Sequence, residues 1–175
     1  MSFDWCRYVA DGFIIDFVLL ENGGIMEYKI ATEKDIEEVM NIRLEMLRVV
    51  NNMNDDEVFS EELVNCSRRY FVEGNQVTCL AIDNGSAIGC ASISYFEVMP
   101  TFSHPTGKRA HLMNVYTRTE YRRQGIAKKM VELLIEDAKE KHATEISLDA
   151  TESGRPLYEK LGFKASDECM VMELL

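Results

Sequence analysis

The sequence contains no C-x-x-C pair, although five cysteines are spread over its 175 residues. Two of them, Cys79 and Cys90, lie inside apolar runs that are typical of strands. Closely paired cysteines are the usual signature of structural zinc, and disulfide frameworks belong to small secreted domains. The cysteine pattern therefore favours reduced, largely buried thiols in a cytoplasmic protein and indicates no metal site.

Positive charge is scarce in this chain. Nineteen basic residues stand against thirty acidic ones, so the formal net charge is −11. Such a surface repels nucleic-acid backbones and anionic membranes, while it tolerates cationic partners. We expect neither nucleic acid nor a membrane as a partner.

A long hydrophobic run is also missing. The best candidate, residues 13–20, contains Asp16, follows no basic segment and is too short to span a bilayer. The chain has no internal repeat and no low-complexity linker, and 46% hydrophobic content over 175 residues suits one compact domain. We expect residues 1–25 to form an added strand or a packed arm before a domain at 26–175. Alternatively, Met26 is the natural start, because Gly23 and Gly24 could be encoded by a purine-rich ribosome-binding sequence.

The order of predicted elements is regular from residue 26 onward. Thr32 with Asp35 predicts a helix cap, and Asn84-Gly85 predicts a hairpin turn. Hydrophobic periodicity predicts helices at about 32–50, 61–72 and 153–161, with a further helix beginning near 126. It predicts strands at 27–31, 77–82, 87–94, 112–117 and 144–150, and closing strand material at 163–174.

The joint between the strand at 112–117 and the helix that follows has a distinctive composition. Gly125 and Ala127 leave the first helical turn almost bare of side chains, and Arg122 and Arg123 immediately precede it. Free backbone N–H groups, the positive end of the helix dipole and two arginines would then meet at one place. The sequence therefore predicts a phosphate-binding site here.

A second informative segment is 154–163. Pro156 suits the first turn of a helix, and Gly162 suits the left-handed conformation that ends one. Tyr158 lies between them. Its phenol, with a pKa near 10, is protonated at neutral pH and could serve as a general acid.

These two segments resemble the signatures of the GNAT superfamily of N-acetyltransferases. Arg122, Gly125 and Ala127 match Arg/Gln-x-x-Gly-x-Gly/Ala, and Tyr158 with Gly162-Phe163 matches Tyr-x-x-x-Gly-Phe. The predicted order of elements over residues 26–175 is also that of the family. The resemblance implies an α/β (α+β) fold of the GNAT type, in which helices flank a mixed central sheet.

The resemblance further implies acetyl-coenzyme A as co-substrate. The loop and helix start would bind its pyrophosphate, the preceding strand would pair with its pantetheine arm, and the Val115 N–H would polarise the acetyl carbonyl. Thr151 stands where the family commonly has a pantetheine-binding Asn, which puts that contact in doubt. The implied cofactor-binding residues are Val115, Thr117, Arg122, Arg123, Gln124, Gly125, Ile126, Ala127, Lys128 and Thr151.

In the family, the tyrosine corresponding to Tyr158 is the usual proton donor to the departing thiolate. Some members carry a general-base Glu eleven positions before the motif arginine, and His111 occupies that position here. His111 could instead be only a polar residue at a strand start, and Glu97 is a rival base. Asn114 could orient a substrate or water, whereas Arg118 is expected to be a solvated loop charge.

The implied reaction is transfer of an acetyl group to a primary amine of a small molecule, by direct attack in a ternary complex. A non-catalytic coenzyme A sensor and a protein N-terminal or lysine acetyltransferase are the alternatives. The acidic residues of the segment Asn54-Asp55-Asp56-Glu57 would favour a cationic amine, unless they form only a solvated loop. The apolar segments at both ends could pair in a homodimer or simply close the sheet.

Overall fold

One mixed sheet organises the computed structural model, which describes residues 5–10, 13–19, 25–54, 56–167 and 170–174. Four helices accompany the sheet: α1 (Ile36–Val50), α2 (Glu61–Glu73), α3 (Ile126–Glu140) and α4 (Arg155–Lys160). The seven strands are β1 (Trp5–Ala10), β2 (Phe13–Leu19), β3 (Ile25–Ile30), β4 (Gln76–Asp83), β5 (Ser86–Glu97), β6 (Lys108–Thr117) and β7 (Ile146–Leu148).

The strands lie in the order β1 to β7, and every neighbouring pair is antiparallel except β6 and β7, which are parallel. The side chains of α3, with Met130 and Leu134 at their centre, pack on one face of β4, β5 and β6. On the other face, Ile42 of α1 packs with Leu80 and Cys90. The two apolar clusters make β4 and β5 buried on both sides, which confirms the expected α/β class with a helix-flanked mixed sheet.

Two local predictions are confirmed. Thr32 and Asp35 form a reciprocal capping box, in which the Thr32 N–H donates to the Asp35 carboxylate at 2.9 Å. A short 3-10 turn follows this cap and leads into α1. Asn84 and Gly85 both have positive φ, 49° and 76°, and connect β4 to β5 in a tight hairpin.

The N-terminal strands extend the sheet beyond the segment that resembles the family. β1 pairs with β2, and β2 pairs with β3 with Val18 opposite Met26. Gly23 and Gly24, which motivated the alternative start, lie outside the described residues. The division of the chain at residue 26 therefore stays a prediction.

The predicted closing strand at 163–174 is wrong for the described part of that segment. None of its described residues belongs to a strand, and Met170, Val171, Met172 and Leu174 are exposed. An alternating apolar pattern forms a strand only where another strand receives its hydrogen bonds. Phe163 instead packs edge-on against Tyr158, with ring centres 5.9 Å apart.

Cys79 and Cys90 are buried, as predicted, whereas Cys66 is exposed. The side chains of Cys6 and Cys169 lie outside the described residues. Within the described ranges, no cluster of histidine, cysteine and acidic side chains is arranged to hold a metal. No helix in these same ranges has the length and apolar character needed to cross a bilayer.

Candidate active site

The signature strand β6 separates from its parallel neighbour halfway along its length. β7 pairs only with Ala110, His111 and Leu112, while β6 continues to Thr117. Residues 113–117 therefore have an edge beyond the end of the β7 pairing, where an extended ligand could lie beside the strand. Val115, whose N–H is implied to polarise the acetyl carbonyl, lies on this segment and packs partly against the α3 cluster.

A left-handed residue marks the point of separation. Asn114 has φ of 56°, and the pairing of β5 with β6 shifts register between Cys90 and Ser92. Regular strands point successive side chains to opposite faces, but Met113 and Asn114 both line the same cavity. The bulge thus places the Asn114 side chain in the cavity beside Met113, where the alternation of a regular strand would not have put it.

Three partners hold the Asn114 side chain. Arg43 of α1 donates to its Oδ1 at 3.0 Å, and its Nδ2 donates to Ser92 Oγ at 3.2 Å and to Cys90 Sγ at 3.5 Å. Burial raises the pKa of the Cys90 thiol to about 12. Cys90 is therefore a neutral thiol at physiological pH and a poor nucleophile.

The predicted phosphate-binding segment, residues 122–127, which we term the cradle, joins β6 to α3. Arg123 and Gly125 have positive φ, 65° and 83°, and no side chain caps the N-terminus of α3. A Cβ on Gly125 would meet nothing within 4 Å, so glycine is needed for its backbone conformation and leaves open space in front of the helix. With no acidic residue in the first turn of α3, the cradle fits an anionic pyrophosphate.

The individual side chains near the cradle have different surroundings. Arg122 donates through Nε to the Thr117 carbonyl at 3.0 Å, and Arg123 is exposed. Gln124 bonds back to the Glu120 carbonyl, whereas Lys128 pairs with Glu132 along its own helix. Because Lys128 is already paired with an acidic residue, Arg122 and Arg123 are the cations best placed to bind an anion at the start of α3.

Two of the predicted cofactor-binding residues at the start of α3 would act through their backbone, and Thr117 has a buried side chain. Ile126 is buried in the α3 cluster and Ala127 is half-buried, so the ligand would meet their N–H groups. The Thr117 hydroxyl is buried beside Gly89 of β5 and has no hydrogen-bond partner among the described residues. The hydroxyl is therefore shielded from solvent.

Tyr158 lies on α4 and packs against the α3 cluster. Burial raises the pKa of its phenol above the ordinary value, so it stays protonated well beyond neutral pH. Gly154 allows this packing, because a Cβ there would approach the Tyr158 ring at 3.3 Å. Pro156 in the first turn and Gly162 at φ 94° bracket α4 as predicted.

Thr151 is engaged in the turn that precedes α4. Its hydroxyl accepts from the Gly154 N–H at 3.2 Å and lies 3.3 Å from Ser153 Oγ. Its carbonyl accepts from Gly154 and Arg155. A hydroxyl used in this way has less capacity for pantetheine than the amide common in the family.

His111 is directed toward β7. Its Nδ1 lies 2.9 Å from Ser147 Oγ and its Nε2 lies 3.7 Å from the exposed Asp149 carboxylate. Asn114, three residues on, is bonded to the α1 side of the sheet, so the two candidates on β6 have separate partners. Glu97, the rival base, is exposed at the end of β5 opposite Lys108.

Sequence reasoning missed the cavity beneath α1 and α2. Its volume is about 350 Å³, and Arg43 is the one charged side chain among the residues that line it. Tyr70 contributes a hydroxyl that bonds to Ser94 Oγ and lies 3.6 Å from Met113 Sδ. The lining residues are Arg43, Cys66, Ser67, Tyr70, Phe71, Ser92, Met113 and Asn114.

The expectation of a solvated Arg118 is wrong. Arg118 binds Glu45 of α1 through Nε and Nη2, and Tyr116 donates to the same carboxylate at 3.0 Å. Hydrogen bonds from Arg118 hold the pKa of Glu45 below its usual value. This network ties α1 to the end of β6, immediately before the cradle. The sequence held no local signal for it, because the partners are 73 residues apart.

Comparison with known proteins places this geometry in a family. The model described as the acetyltransferase (GNAT) family matches residues 36–163, which is well over half of the chain. A predicted acetyltransferase from Clostridium acetobutylicum, solved with acetyl-CoA, is 31% identical with a TM-score of 0.74. That comparison covers 85% of this chain and 96% of the other.

Two further relatives are informative in different ways. A GCN5-related N-acetyltransferase from Ralstonia eutropha JMP134 shares the fold at 22% identity, with a TM-score of 0.69 and coverage of 85% and 98%. Glucosamine 6-phosphate N-acetyltransferase from Trypanosoma brucei brucei is 31% identical over 90 residues. That match covers 51% of this chain and 59% of the relative, so the chain spans less than two thirds of the curated relative's length.

Proposed function

The chain belongs to the acetyltransferase (GNAT) family, and from this membership we propose that it transfers the acetyl group of acetyl-coenzyme A to a primary amine of a small molecule. The observation that carries the proposal is the uncapped start of α3 behind Gly125, at the end of a strand that has separated from β7. An anion-binding helix start and an open strand edge are together what a pyrophosphate with an extended arm requires.

In the proposed site, each group of the chain has one task. The backbone N–H groups of residues 125–127, with Arg122 and Arg123, would bind the pyrophosphate. Val115 would donate its N–H to the acetyl carbonyl oxygen, which gains negative charge during attack. Thr151 would contribute at most a weak contact, because its hydroxyl already serves the turn before α4.

The proposed reaction is a direct transfer between the bound acetyl thioester and the amine. The new bond forms between the amine nitrogen and the acetyl carbon, and the bond from that carbon to sulfur breaks. Tyr158 would donate its proton to the departing sulfur, since burial keeps the phenol protonated. The proton lost by the amine would pass to His111 through water, while Asn114 would orient the acceptor.

We propose a cytoplasmic setting, without a nucleic-acid or membrane partner and without a metal requirement. We also propose that the protein forms a homodimer, which its molecular mass in sedimentation analysis would test. The loop at residues 54–57, which suggested a cationic acceptor, gives that suggestion little support. Glu57 there accepts hydrogen bonds from the backbone and side chain of Asn54, and none of the described residues 54, 56 and 57 lines the cavity.

Thiol release from acetyl-coenzyme A, measured against a panel of small amines and short peptides, tests the proposal. Tyr158→Phe should keep coenzyme A affinity and lower kcat by about 100- to 10,000-fold. Tyr95→Phe is the matched control, because its hydroxyl bonds to Asp137 of α3 rather than facing this site. Coenzyme A binding without turnover on any amine would favour the sensor, and turnover on peptides alone would favour the protein acetyltransferase.

A further inference from the structure

The cavity beneath α1 and α2 has a charge opposite to that of the whole protein. The chain carries a net charge of −11, yet the one charged residue lining this cavity is the cation Arg43. The other lining groups are hydroxyls, a thiol, an amide and apolar surface. The net negative charge of the protein does not account for a cation in this cavity. The positive charge is therefore a local property of the cavity itself.

Arg43 has unused capacity to bind an anion. It is half-buried, and burial lowers the pKa of its guanidinium, although arginine remains charged in proteins. Its hydrogen bond to Asn114 occupies one of five N–H donors. Across the described ranges, no carboxylate lies within ion-pair distance of Arg43. Cys90, which lies near the guanidinium, is a neutral thiol at physiological pH because burial raises its pKa to about 12.

The other half-buried arginines of the described residues have partners that Arg43 lacks. Arg48 donates to the backbone carbonyls of Asn54 and Glu57. Arg68 pairs with Glu37, Arg109 with Glu145, and Arg118 with Glu45. A cation removed partly from water is costly unless an anion compensates it. Among the described half-buried arginines, Arg43 therefore has neither a carboxylate nor a backbone carbonyl as a partner, and an anion from outside the chain would supply one.

We infer that the acceptor carries an anionic group, a carboxylate or a phosphate, in addition to its amine, and that Arg43 binds this group. The inference rests on the proposed function and names the substrate class of the same site. The cavity, of about 350 Å³, suits a small molecule, and Met113 and Asn114 connect it to Val115. An anion held by Arg43 would leave the amine free to point along β6 toward the acetyl carbonyl.

The curated relative gives separate support, because the substrate in its name, glucosamine 6-phosphate, combines an amine with a phosphate. Arginine binds carboxylate and phosphate with the same bidentate geometry. The structure therefore indicates a negative charge on the acceptor, and the experiment must distinguish the two anions.

The first experiment measures kcat/KM for matched acceptors that differ only in the anion. Glucosamine 6-phosphate is compared with glucosamine, and L-phenylalanine with L-phenylalaninamide. The anionic member of at least one pair should be preferred, and Arg43→Gln should lower its kcat/KM by about 10- to 100-fold more than it lowers that of the neutral member. Arg43→Lys should retain part of the preference. Arg68→Gln, on the exposed face of α2, should change neither.

A merely supporting role for Arg43 predicts a different result. If the arginine only holds the Asn114 bulge, Arg43→Gln lowers kcat/KM for both members of each pair by the same factor. Equal loss, or a preference for the neutral amine in the unmutated protein, overturns the inference and leaves the acetyl-transfer proposal standing.

A binding experiment separates failure of the inference from failure of the proposed function. Arginine side-chain NMR signals, assigned with Arg43→Gln, are followed while acetate or inorganic phosphate is added in the presence of coenzyme A. The inference expects the Arg43 signal to shift with at least one anion, whether or not any amine is acetylated. An unmoved Arg43 signal overturns it. Unmoved Arg122 and Arg123 signals on adding coenzyme A would instead count against the proposed function.

Discussion

Gly125→Ala isolates the backbone geometry of the cradle from its side chains. Gly125 has φ of 83°, and a Cβ built on it meets no protein atom within 4 Å. The folding cost is therefore conformational, about 1–2 kcal/mol for an L-residue in the left-handed region. The stiffer unfolded chain offsets about 0.4–1 kcal/mol of this. We expect a net loss near 1 kcal/mol, or about 2–4 °C in Tm for a chain of this size.

The effect on ligand binding should be much larger than the effect on folding. The new methyl group would occupy the open space in front of α3 and would bias the N–H groups of residues 125–127 away from the ligand. Loss of one charge-assisted hydrogen bond, worth about 1.5–3 kcal/mol, weakens coenzyme A binding by about 10- to 100-fold.

Gly85→Ala is a matched control for this substitution. Gly85 also has positive φ, 76°, and a Cβ there also meets no atom within 4 Å, but it lies in the β4–β5 hairpin. The two variants should lose similar stability in thermal unfolding. Calorimetric titration with coenzyme A should show weaker binding in Gly125→Ala alone. Equal affinity in both variants would refute the assignment of the cradle as the pyrophosphate site.

Three further substitutions or treatments test other features. Glu45→Gln should cost about 1 kcal/mol or less at pH 7, because the Arg118 pair is partly exposed. Because the pKa of Glu45 is lowered in the folded state, the variant's loss of unfolding free energy should be complete above about pH 4.3. The loss should vanish as the pH falls through the folded pKa of Glu45. Urea unfolding that gives the same loss at every pH would contradict this expectation. Thr117→Val should stabilise the protein by about 1 kcal/mol, because it removes a buried hydroxyl with no partner, and should leave coenzyme A affinity unchanged; weaker binding would mean that the hydroxyl reaches the ligand. In peptide mapping after brief alkylation, Cys66 should be labelled while Cys79 and Cys90 stay protected until unfolding, and early labelling of Cys90 would contradict its burial.

The parts of the fold that the sequence predicts are those encoded by neighbouring residues. The Thr32–Asp35 cap, the Asn84-Gly85 hairpin and the left-handed Gly162 each depend on a few adjacent side chains and a local φ. The segment at 122–127 belongs to the same class, since its glycine, its arginines and the following helix are contiguous. Neighbouring residues therefore predict the loop and helix start at this segment without any knowledge of the sheet, and its role in binding pyrophosphate stays a prediction.

The parts that could not be predicted depend on contacts between distant segments. Arg43 and Asn114 are 71 residues apart, and no helical or strand period relates them. The strand expected at 163–174 failed for the same reason, because its formation depends on a neighbouring strand rather than on its own alternation. Arg118 likewise looked exposed until the fold supplied Glu45.

The bulge at Asn114 connects the two halves of the proposed site. A left-handed asparagine is unfavourable relative to a regular strand residue, and the hydrogen bonds from Arg43 and to Ser92 offset that cost. The same bulge lies just beyond Leu112, where the β7 pairing ends, and turns Asn114 into the cavity. In the proposed site, this one local distortion would therefore shape both the open strand edge for the pantetheine arm and the wall of the cavity proposed for the acceptor. Because Arg43 stabilises that distortion with one donor and faces the cavity with others, an anionic acceptor bound there would also reinforce the geometry that positions Val115 for the reaction.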